Sequence, residues 1–575
     1  MSIFNAVLKR KPKKSVFDLS HDVKLTATWG RLIPVLCEPC VPGDKWRINT
    51  EMHVRLAPML APIMHRIDVT MHYFFVPNRL IWDDFQKFIT GGEDGTEEVA
   101  FPTFRLRQMA DNGRLDHGQL ADYFGVQTYD VDDRPLFSEG ELVSALPFRA
   151  YQLIYNQYYR DQNLEDEIDI HSESNGILPF SQMSAMTLWR SRAWRKDYFT
   201  SALPWVQRGP AVRLPMSGDA PITDLSGNNP GLRGVRSYDE DARTHDNLQM
   251  LYGPEGDLIG SAATANNTIH YDPQDQSAPN SLLARGQKSA SDAGTLYRPA
   301  NINLNSTNQV DLSDLQADLR NVNAATINEL RRASRLQEWL ETNARGGSRY
   351  IEQIFAHFGV KSSDSRLQRA EFLGGSVSPV VIGEVLQTSA AQSDSAQANP
   401  AGVGSTLSSG RVVKKFIEEH GYIIGLLSIR PTPAYATGMK KDLFKFDRFD
   451  FFFPEFAQLG EQPILRKELF LGGDDEKNEE VFGYTPRYAE YKYIPNSVHG
   501  DFRTPSLATW HLARFFNDYP NLNANFVHVR GQEQDLERIF AVETQLGDNL
   551  DHFWVNLHHN IRAVRPMPKY NVPML

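Results

Sequence analysis

Trp46-Arg47-Ile48-Asn49-Thr50-Glu51-Met52-His53-Val54-Arg55-Leu56 alternates large apolar or Thr residues with charged and polar ones without a break. Successive side chains of an extended chain point to opposite faces, so this period of two predicts a strand with one wet and one buried face. Pro42-Gly43-Asp44 ahead of it is a turn signal, because Pro fixes one backbone dihedral and Gly frees the next. Beyond a Pro-containing turn (Ala57-Pro58 to Ala61-Pro62), Ile67, Val69, Met71, Tyr73 and Phe75 alternate again. The two runs are expected to be neighbouring antiparallel strands. Working outward, further strands are expected at Gly421–Arg430 (apolar on both faces), Arg448–Phe453, Asn525–Arg530 and His552–Leu557. Strands so far apart in sequence imply a Greek-key type of β-fold with long connections rather than a meander of hairpins.

Helices are fewer. Thr326 and Glu329 form a capping-box pattern, Ile327, Leu330, Ala333, Leu336 and Leu340 form one stripe, and Gly346-Gly347 is a stop, which predicts a helix over Thr326–Arg345. A shorter helical pattern follows with Ile351, Ile354, Phe355 and Phe358, and another helix is expected near Arg149–Tyr159. Between Gly209 and Asn323 the chain contains no Phe, Trp or Cys and is rich in Gly, Pro, Ser, Asn and Asp. Such a stretch contributes little to a core, and strand-rich sequence on both sides makes it an excursion from one domain. Thr388–Gly410 repeats that composition as a smaller loop.

The 575 residues allow two or three domains, or one large β-domain with long excursions. With 32 Phe, 21 Tyr and 9 Trp there is ample material for a core and for interfaces. No run of eighteen apolar residues is present, so no membrane insertion is expected. The start, MSIFNAVLKRKPKK, does not read as a secretory signal. Only two cysteines are present, Cys37 and Cys40, which excludes a disulfide-rich scaffold. Their C-x-x-C spacing lacks the second pair a structural zinc would want, and they read as two small residues in a loop. Net charge is −11, from 71 acids against 60 bases, which argues against a generally basic nucleic-acid-binding surface. The exception is a local cluster, Lys9, Arg10, Lys11, Lys13 and Lys14, which precedes the first acid, Asp18.

Catalytic patterns are missing from the sequence: there is no phosphate loop ending in GK[ST], no G-x-S-x-G elbow and no H-E-x-x-H helix. GVGSTLSSG from Gly402 lies in the polar loop without the strand and helix a phosphate cradle needs. His558-His559 sits on a strand pattern, where adjacent side chains diverge and do not easily share an ion. GGEDGTEE from Gly91 and GGDDEKNEE from Gly472 lack the ordered spacing of a calcium loop and read as charged turns. No metal, cofactor or catalytic residue is assigned.

Longer strings carry a family resemblance. Phe17-Asp18-Leu19-Ser20-His21, PGD at Pro42 and FFVPNRLIWDDFQKF from Phe74 resemble the opening of the major capsid proteins of the Microviridae, most closely the gokushovirus branch. LPFRAYQLIYNQYYRDQNL from Leu146, DYFTSALPWVQRGPAV from Asp197 and ARGGSRYIEQIFAHFGVKSSDSRLQRAEFLGG from Ala344 continue it. FGYTPRYAEYKY from Phe482, VHGDFR from Val498 and RPMPKYNVPML from Arg565 complete it, so that only the two polar loops fall outside. The resemblance implies a mainly β fold: an eight-stranded antiparallel viral jelly roll with long inter-strand insertions and a few helices. It further implies self-assembly into a T=1 icosahedral shell around circular single-stranded DNA, with location in the virion after synthesis and assembly in the bacterial cytoplasm. Implied partners are copies of the chain, the genome, a host surface receptor, and small internal DNA-binding, scaffolding and pilot proteins.

The organisation expected on this basis is a basic arm over 1–20, a first part of the capsid domain over 21–208, a polar insertion over 209–323 and the remainder with an extended tail over 324–575. The resemblance implies that the insertion forms a protrusion at the threefold axes, and its polar composition suits either host attachment or a dispensable spacer. From charge alone, Lys9, Arg10, Lys11, Lys13 and Lys14 are candidate DNA contacts. Aromatic and Pro-rich segments nominate Phe74, Phe75, Trp82, Phe482, Tyr484, Tyr488 and Tyr491 as inter-subunit residues, with intramolecular packing of a large fold as the equal alternative for each. Pro566, Pro568 and Pro573 stiffen a tail expected to drape over the same or an adjacent subunit. Two other classes stay open on sequence: a carbohydrate-binding or carbohydrate-cleaving β-sandwich, and an intracellular nucleic-acid-binding protein acting through the arm.

Overall fold

The structure is a computed structural model that describes residues 13–570, apart from 93–95, 130–136, 139, 172–174, 347–351, 353–354, 357–362, 366, 387–399, 532–533, 542–550 and most of 210–326. The chain divides into two units, Met1–Pro210 with Trp339–Leu575, and Ala211–Glu338.

In the first unit the main strands are β1 (Ser15–Asp18), β2 (His21–Ala27), β3 (Ile33–Cys40), β4 (Lys45–Leu56) and β5 (Ile67–Pro77). After a long excursion that contains helices and the second unit come β6 (Glu371–Pro379), β7 (Val381–Leu386), β8 (Pro400–Ser409), β9 (Val413–Phe416), β10 (Gly421–Pro431) and β11 (Phe553–Arg565). They form a seven-stranded and a four-stranded antiparallel sheet. In the larger one β4 and β11 are the long central pair, aligned from Leu56↔Phe553 to Lys45↔Val564. The free edge of β4 takes β8 and β9 end to end, that of β11 takes β2 and β1, and β7 extends the sheet beyond β8. The smaller sheet runs β6–β5–β10–β3.

Alternation decides which face meets which layer. Trp46, Ile48, Met52, Val54 and Leu56 of β4 are buried, as are Phe553, Val555, Leu557, Ile561 and Ala563 of β11. They share one core with Ile67, Val69, Met71, Tyr73 and Phe75 of β5 and with Ile423, Leu427 and Ile429 of β10. Burying one such aliphatic side chain is worth about 2 kcal/mol, and a one-residue slip of β4 would drive Arg47, Glu51 and Arg55 into this core instead. β5 and β10 are buried on both faces. Their alternate residues, Phe74, Val76, Ile424 and Leu426, join a second core with the helix Leu146–Ile154 and the helix Phe180–Met186. That is why GYIIGLLSIR is apolar throughout whereas WRINTEMHVRL alternates.

A buried polar chain crosses the first core. The His559 Nε2 lies 3.1 Å from the Val35 carbonyl, which can only accept, so Nε2 carries the hydrogen and Nδ1 accepts from Thr50 Oγ at 2.8 Å. The Tyr73 hydroxyl in turn bonds Thr50 Oγ. Thr50 and His559 belong to the large sheet, Tyr73 and Val35 to the small one, so the chain ties the two together. Burial pushes the His559 imidazole down to about 4, keeping it neutral.

The two alternating runs are strands as expected, but they are not neighbours: β4 pairs with β11, β8 and β9, and β5 with β6 and β10. The Pro-containing connection over 57–66 carries the chain from one sheet to the other. Arg448–Phe453 is a 3₁₀ turn with bends, and Asn525–Arg530 holds a short helix, Ala524–Val527, capped by Asn523 Oδ1 on the Phe526 amide at 2.9 Å. The second polar stretch is part strand: β8 turns Gly402, Gly404 and Thr406 inward because Ala61 and Leu56 leave no room for larger groups, while Leu407 points out, 83% exposed. Cys37 and Cys40 sit in β3, not in a loop, three positions apart and so on opposite faces. Burial pushes Cys37 up to about 12 and Cys40 higher still.

The helix near 149–159 is present as an α-helix over Leu146–Ile154 that passes into a π-turn over Tyr155–Tyr159. The long helix spans Ile327–Gly346, and its Leu330, Leu336 and Trp339 are exposed. Thr326, Ile351, Ile354 and Phe358 lie outside the described residues, and Phe355 is exposed. In the second unit the described residues form an antiparallel three-stranded sheet (Leu232–Tyr238, His245–Tyr252, Leu258–Ser261) and a two-stranded pair (Ile222–Asp224, Leu315–Ala317).

Candidate assembly surface

The sequence KDLFKFDRFDFFFPEF, residues 441–456, places aromatic rings at close intervals between charges. It does not extend because its aspartates compete for the backbone. Asp450 Oδ2 accepts from the Phe446 amide at 3.2 Å and the Asp447 amide at 3.0 Å, which closes a turn over Arg448–Asp450. Pro454 opens another short 3₁₀ turn. The rings consequently splay outward. Phe446 is 88% exposed, and Phe449, Phe451, Phe452, Phe453, Leu443 and Leu459 are exposed with it. Tyr491, Tyr493 and Ile494 add further apolar surface from residues 491–494.

This surface is anchored through its backbone, with ring contacts of Phe452 to Tyr488 at 5.2 Å and of Phe449 to Phe456 at 5.1 Å beside it. Tyr488, buried and held at a left-handed φ of 60°, donates from its hydroxyl to the Phe451 carbonyl at 2.9 Å, and Arg487 donates to the Phe449 carbonyl at 2.6 Å. The Tyr488 amide is fixed by Gln462 Oε1 at 3.0 Å. A left-handed conformation at a Tyr is strained, and it persists because these bonds over-determine it. Lys445 sits 3.8 Å over the Tyr491 ring, 2.7 Å from Asp442 and 3.3 Å from Glu490. Burial alone would lower its pKa, but these partners outweigh it and hold the ammonium charged. Apolar rings on a pre-set backbone lose little conformational freedom when covered, and a contiguous exposed patch of this kind marks an interaction site.

The residues singled out from sequence fall differently. Phe74, Phe75, Trp82, Phe482 and Tyr488 are buried in the subunit's own cores, so their side chains present almost nothing to a neighbour. Tyr484 is half-buried in the strand Val481–Pro486, and Tyr491 alone of that aromatic set is exposed, at 53%. Pro566 is half-buried and Pro568 exposed, just beyond the end of β11, while Pro573 lies outside the described residues. Of the arm, Lys13 and Lys14 are described and exposed, and Lys14 Nζ donates to the Gly43 carbonyl at 3.0 Å; Lys9, Arg10 and Lys11 lie outside. Sequence reading did not single out Phe446 and placed Phe452 and Phe453 on a strand over Arg448–Phe453. Asp447 and Asp450, three apart, were the turn signal that spoke against it.

Two of the cavities in the fold contain buried titratable groups. One, of about 720 Å³, is lined by Arg192, Arg430, His72 and Tyr159 among others. Arg192 donates to Ser428 Oγ at 2.8 Å and Arg430 to the Ala193 carbonyl at 2.9 Å, while burial pushes His72 down to about 3. The other, of about 620 Å³, contains Glu468. Burial raises this carboxyl, but the Leu465 amide and the Tyr198 hydroxyl each donate to it at 3.0 Å and Lys441 stands 3.7 Å away. These bonds tie it into the scaffold. Among the described residues no group of three or more His, Cys, Asp or Glu is placed to hold a metal ion, and His558 and His559 diverge, one exposed and one buried. Among the described residues no helix is long and apolar enough to cross a membrane.

A two-sheet scaffold with a pre-set aromatic surface fits a structural subunit, and comparison with known proteins decides the matter. The profile of the family described as "Capsid protein (F protein)" matches residues 6–575. The chain belongs to that family. Capsid protein VP1 of Bdellovibrio phage phiMH2K is 35% identical over 97% of this chain and 95% of its own length. The capsid proteins VP1 of Chlamydia phage 1 and Spiroplasma virus 4 are 33% and 30% identical, over 100% and 98% of this chain and 97% and 95% of their own lengths. These relatives bear out the resemblance to Microviridae capsid proteins. The family is structural and non-enzymatic, its members are components of the virion, and self-assembly into a capsid is what it implies for the chain.

Proposed function

We propose that this capsid protein builds a small T=1 icosahedral shell that encloses circular single-stranded DNA, and that it does so by covering its exposed aromatic surface against neighbouring copies. The observation that carries the reading is the pairing of outward rings with a rigid anchor: Phe446, Phe451, Phe452 and Phe453 exposed, with the Phe449 and Phe451 carbonyls fixed by Arg487 and Tyr488. Repeated by closed symmetry, one such patch per subunit adds cooperatively around the shell. The subunit itself is read as an eight-stranded jelly roll with added edge strands. Supporting this are the two facing antiparallel sheets and the crossings between them at β3 to β4 and β4 to β5.

In the same reading residues 209–323 form the threefold protrusion and meet the host surface receptor. The tail from Pro566 drapes over a subunit. Scaffolding, pilot and small DNA-binding proteins assist assembly in the bacterial cytoplasm. The test is a double substitution, Phe446→Ser with Phe452→Ser, examined by negative-stain microscopy and by thermal unfolding. Expected is loss of particles with an unfolding midpoint near that of wild type, because both rings are exposed and Phe452 only borders the buried Tyr488. Uniform wild-type particles from the double variant would remove this patch as the assembly surface.

A further inference from the structure

The outward face of the seven-stranded sheet is uncovered in the subunit, and its charges are arranged at odds with intramolecular stability. Arg47 of β4 stands directly opposite Arg562 of β11 on one side and Lys414 of β9 on the other, all three exposed. Like charges directly opposite one another destabilise a sheet. Arg55 and Lys45 of β4 and Lys24 of β2 project from the same face. Among the described residues no carboxylate makes an ion pair with Arg47, Arg55 or Lys414. The face has three acids: Asp18, directly opposite Arg562 and accepting from Ser20 at 2.5 Å, which offsets part of the charge at that end of the row; Asp22, engaged with His558 at 2.6 Å; and Glu51, opposite His558. A chain of net charge −11 thus gathers six cations against three acids on one flat face.

At the other end of β11 an indole lies open on this face. Trp554 is 44% exposed, sits opposite Arg55 and Thr26, and borders a shallow depression of about 420 Å³ with Lys24, His53 and Asn556. The arm enters the same sheet through β1, and Lys14 reaches 5.9 Å from the Phe416 ring, beside Lys45 and Arg47. Phosphates and a stackable ring are what this combination accommodates: cations that track a backbone, and an aromatic face that takes any base.

We infer that the outward face of the β1/β2–β11–β4–β9 sheet binds single-stranded nucleic acid, with Arg47, Arg55, Lys414 and Arg562 on phosphates and a base stacked on Trp554. This rests on the proposal that the shell encloses single-stranded DNA, and it goes further in naming the surface and separating it from the arm. The anion cancels the Arg47–Arg562 and Arg47–Lys414 repulsion, so the sheet is more stable loaded than bare.

The experiment measures binding of a fluorescent dT20 oligonucleotide to the full chain across a salt series, for wild type, Arg47→Gln/Arg55→Gln/Arg562→Gln and Trp554→Leu, and recovers particles of each. Expected for the triple variant is a loss of affinity of tenfold or more and a salt slope shallower by about 2, since each single-strand phosphate contact contributes about 0.7. Trp554→Leu is expected to weaken binding roughly tenfold with its salt slope unchanged. Wild-type affinity and slope in the triple variant would overturn the inference. So would poly-glutamate binding as tightly as dT20 and indifferent to Trp554, which would mark a site for an acidic protein segment. Loss of particles with unaltered dT20 binding would overturn it in favour of a subunit interface. Wild-type particles devoid of nucleic acid would instead defeat the enclosure proposal, whereas DNA-filled particles with dT20 binding confined to the arm would defeat only the sheet face.

Discussion

Thr50 and His559 show how much of this fold hangs on single polar side chains. Each is buried, and each has its hydrogen bonds satisfied only while the two sheets face one another. Thr50→Val leaves the Tyr73 hydroxyl and His559 Nδ1 without this partner, while His559 Nε2 keeps the Val35 carbonyl, and it is expected to cost about 1–3 kcal/mol, read as a lower urea midpoint of the unassembled chain. The imidazoles predict the pH response. Burial holds His65 and His559 at about 4 and His72 at about 3 in the folded chain, against 6.5 for the ordinary group. Below pH 6.5 the unfolded chain therefore binds more protons than the folded one, so stability is full above that pH and falls as pH drops toward 4. Urea midpoints taken from pH 7 to pH 4 should decline, and His559→Phe should flatten part of the decline; a flat wild-type profile contradicts the assignment. The thiols behave in the opposite way to a redox pair. Cys37 and Cys40, on opposite faces of β3 and both raised by burial, are expected to resist iodoacetamide at pH 8 until the chain unfolds, as checked by intact mass.

At the level of the element, what sequence revealed depended on whether side-chain pattern and local chemistry agreed. β4, β5, β10 and β11 were legible because large apolar residues recur with the strand period or fill it completely. β8 was hidden because its inward positions are Gly402, Gly404 and Thr406, an inversion forced by the close approach of Ala61 and Leu56. Gly404→Val would place a Cβ 2.9 Å from Leu56 Cδ2 and is expected to destabilise the chain by about 1–3 kcal/mol, measurable by thermal unfolding. Residues 448–453 misled in the other direction, since alternating Phe suggested a strand while Asp447 and Asp450 bound the backbone into a turn. The pairing of β4 with β11 was out of reach because nothing local in either strand names a partner in a different part of the chain. Burial was likewise hard to read from the letters: Phe74 and Trp82 stand in an aromatic, Pro-containing string, and it is the packing of the second core that encloses them.

Across the whole molecule, residues 211–338 form a unit separate from the one that holds both large sheets, and 209–323 contains no Phe, Trp or Cys to supply a core. Replacing residues 213–325 with a short flexible linker is therefore expected to leave the thermal midpoint of the main unit within about 1 kcal/mol equivalent of wild type, while altering host range if the segment forms the protrusion. A large fall in the midpoint would show that the excursion supports the sheets.

The place of β11 has a consequence for synthesis. It is an interior strand of the large sheet, yet it leaves the ribosome roughly five hundred residues after its partner β4, and β1 and β2 have no other neighbour in the sheet to hold them meanwhile. A nascent or prematurely terminated chain consequently lacks the middle of its tile. Incomplete products are therefore expected not to assemble, and adding a peptide spanning 551–570 in trans to a chain stopped at 550 should restore what such a product lacks.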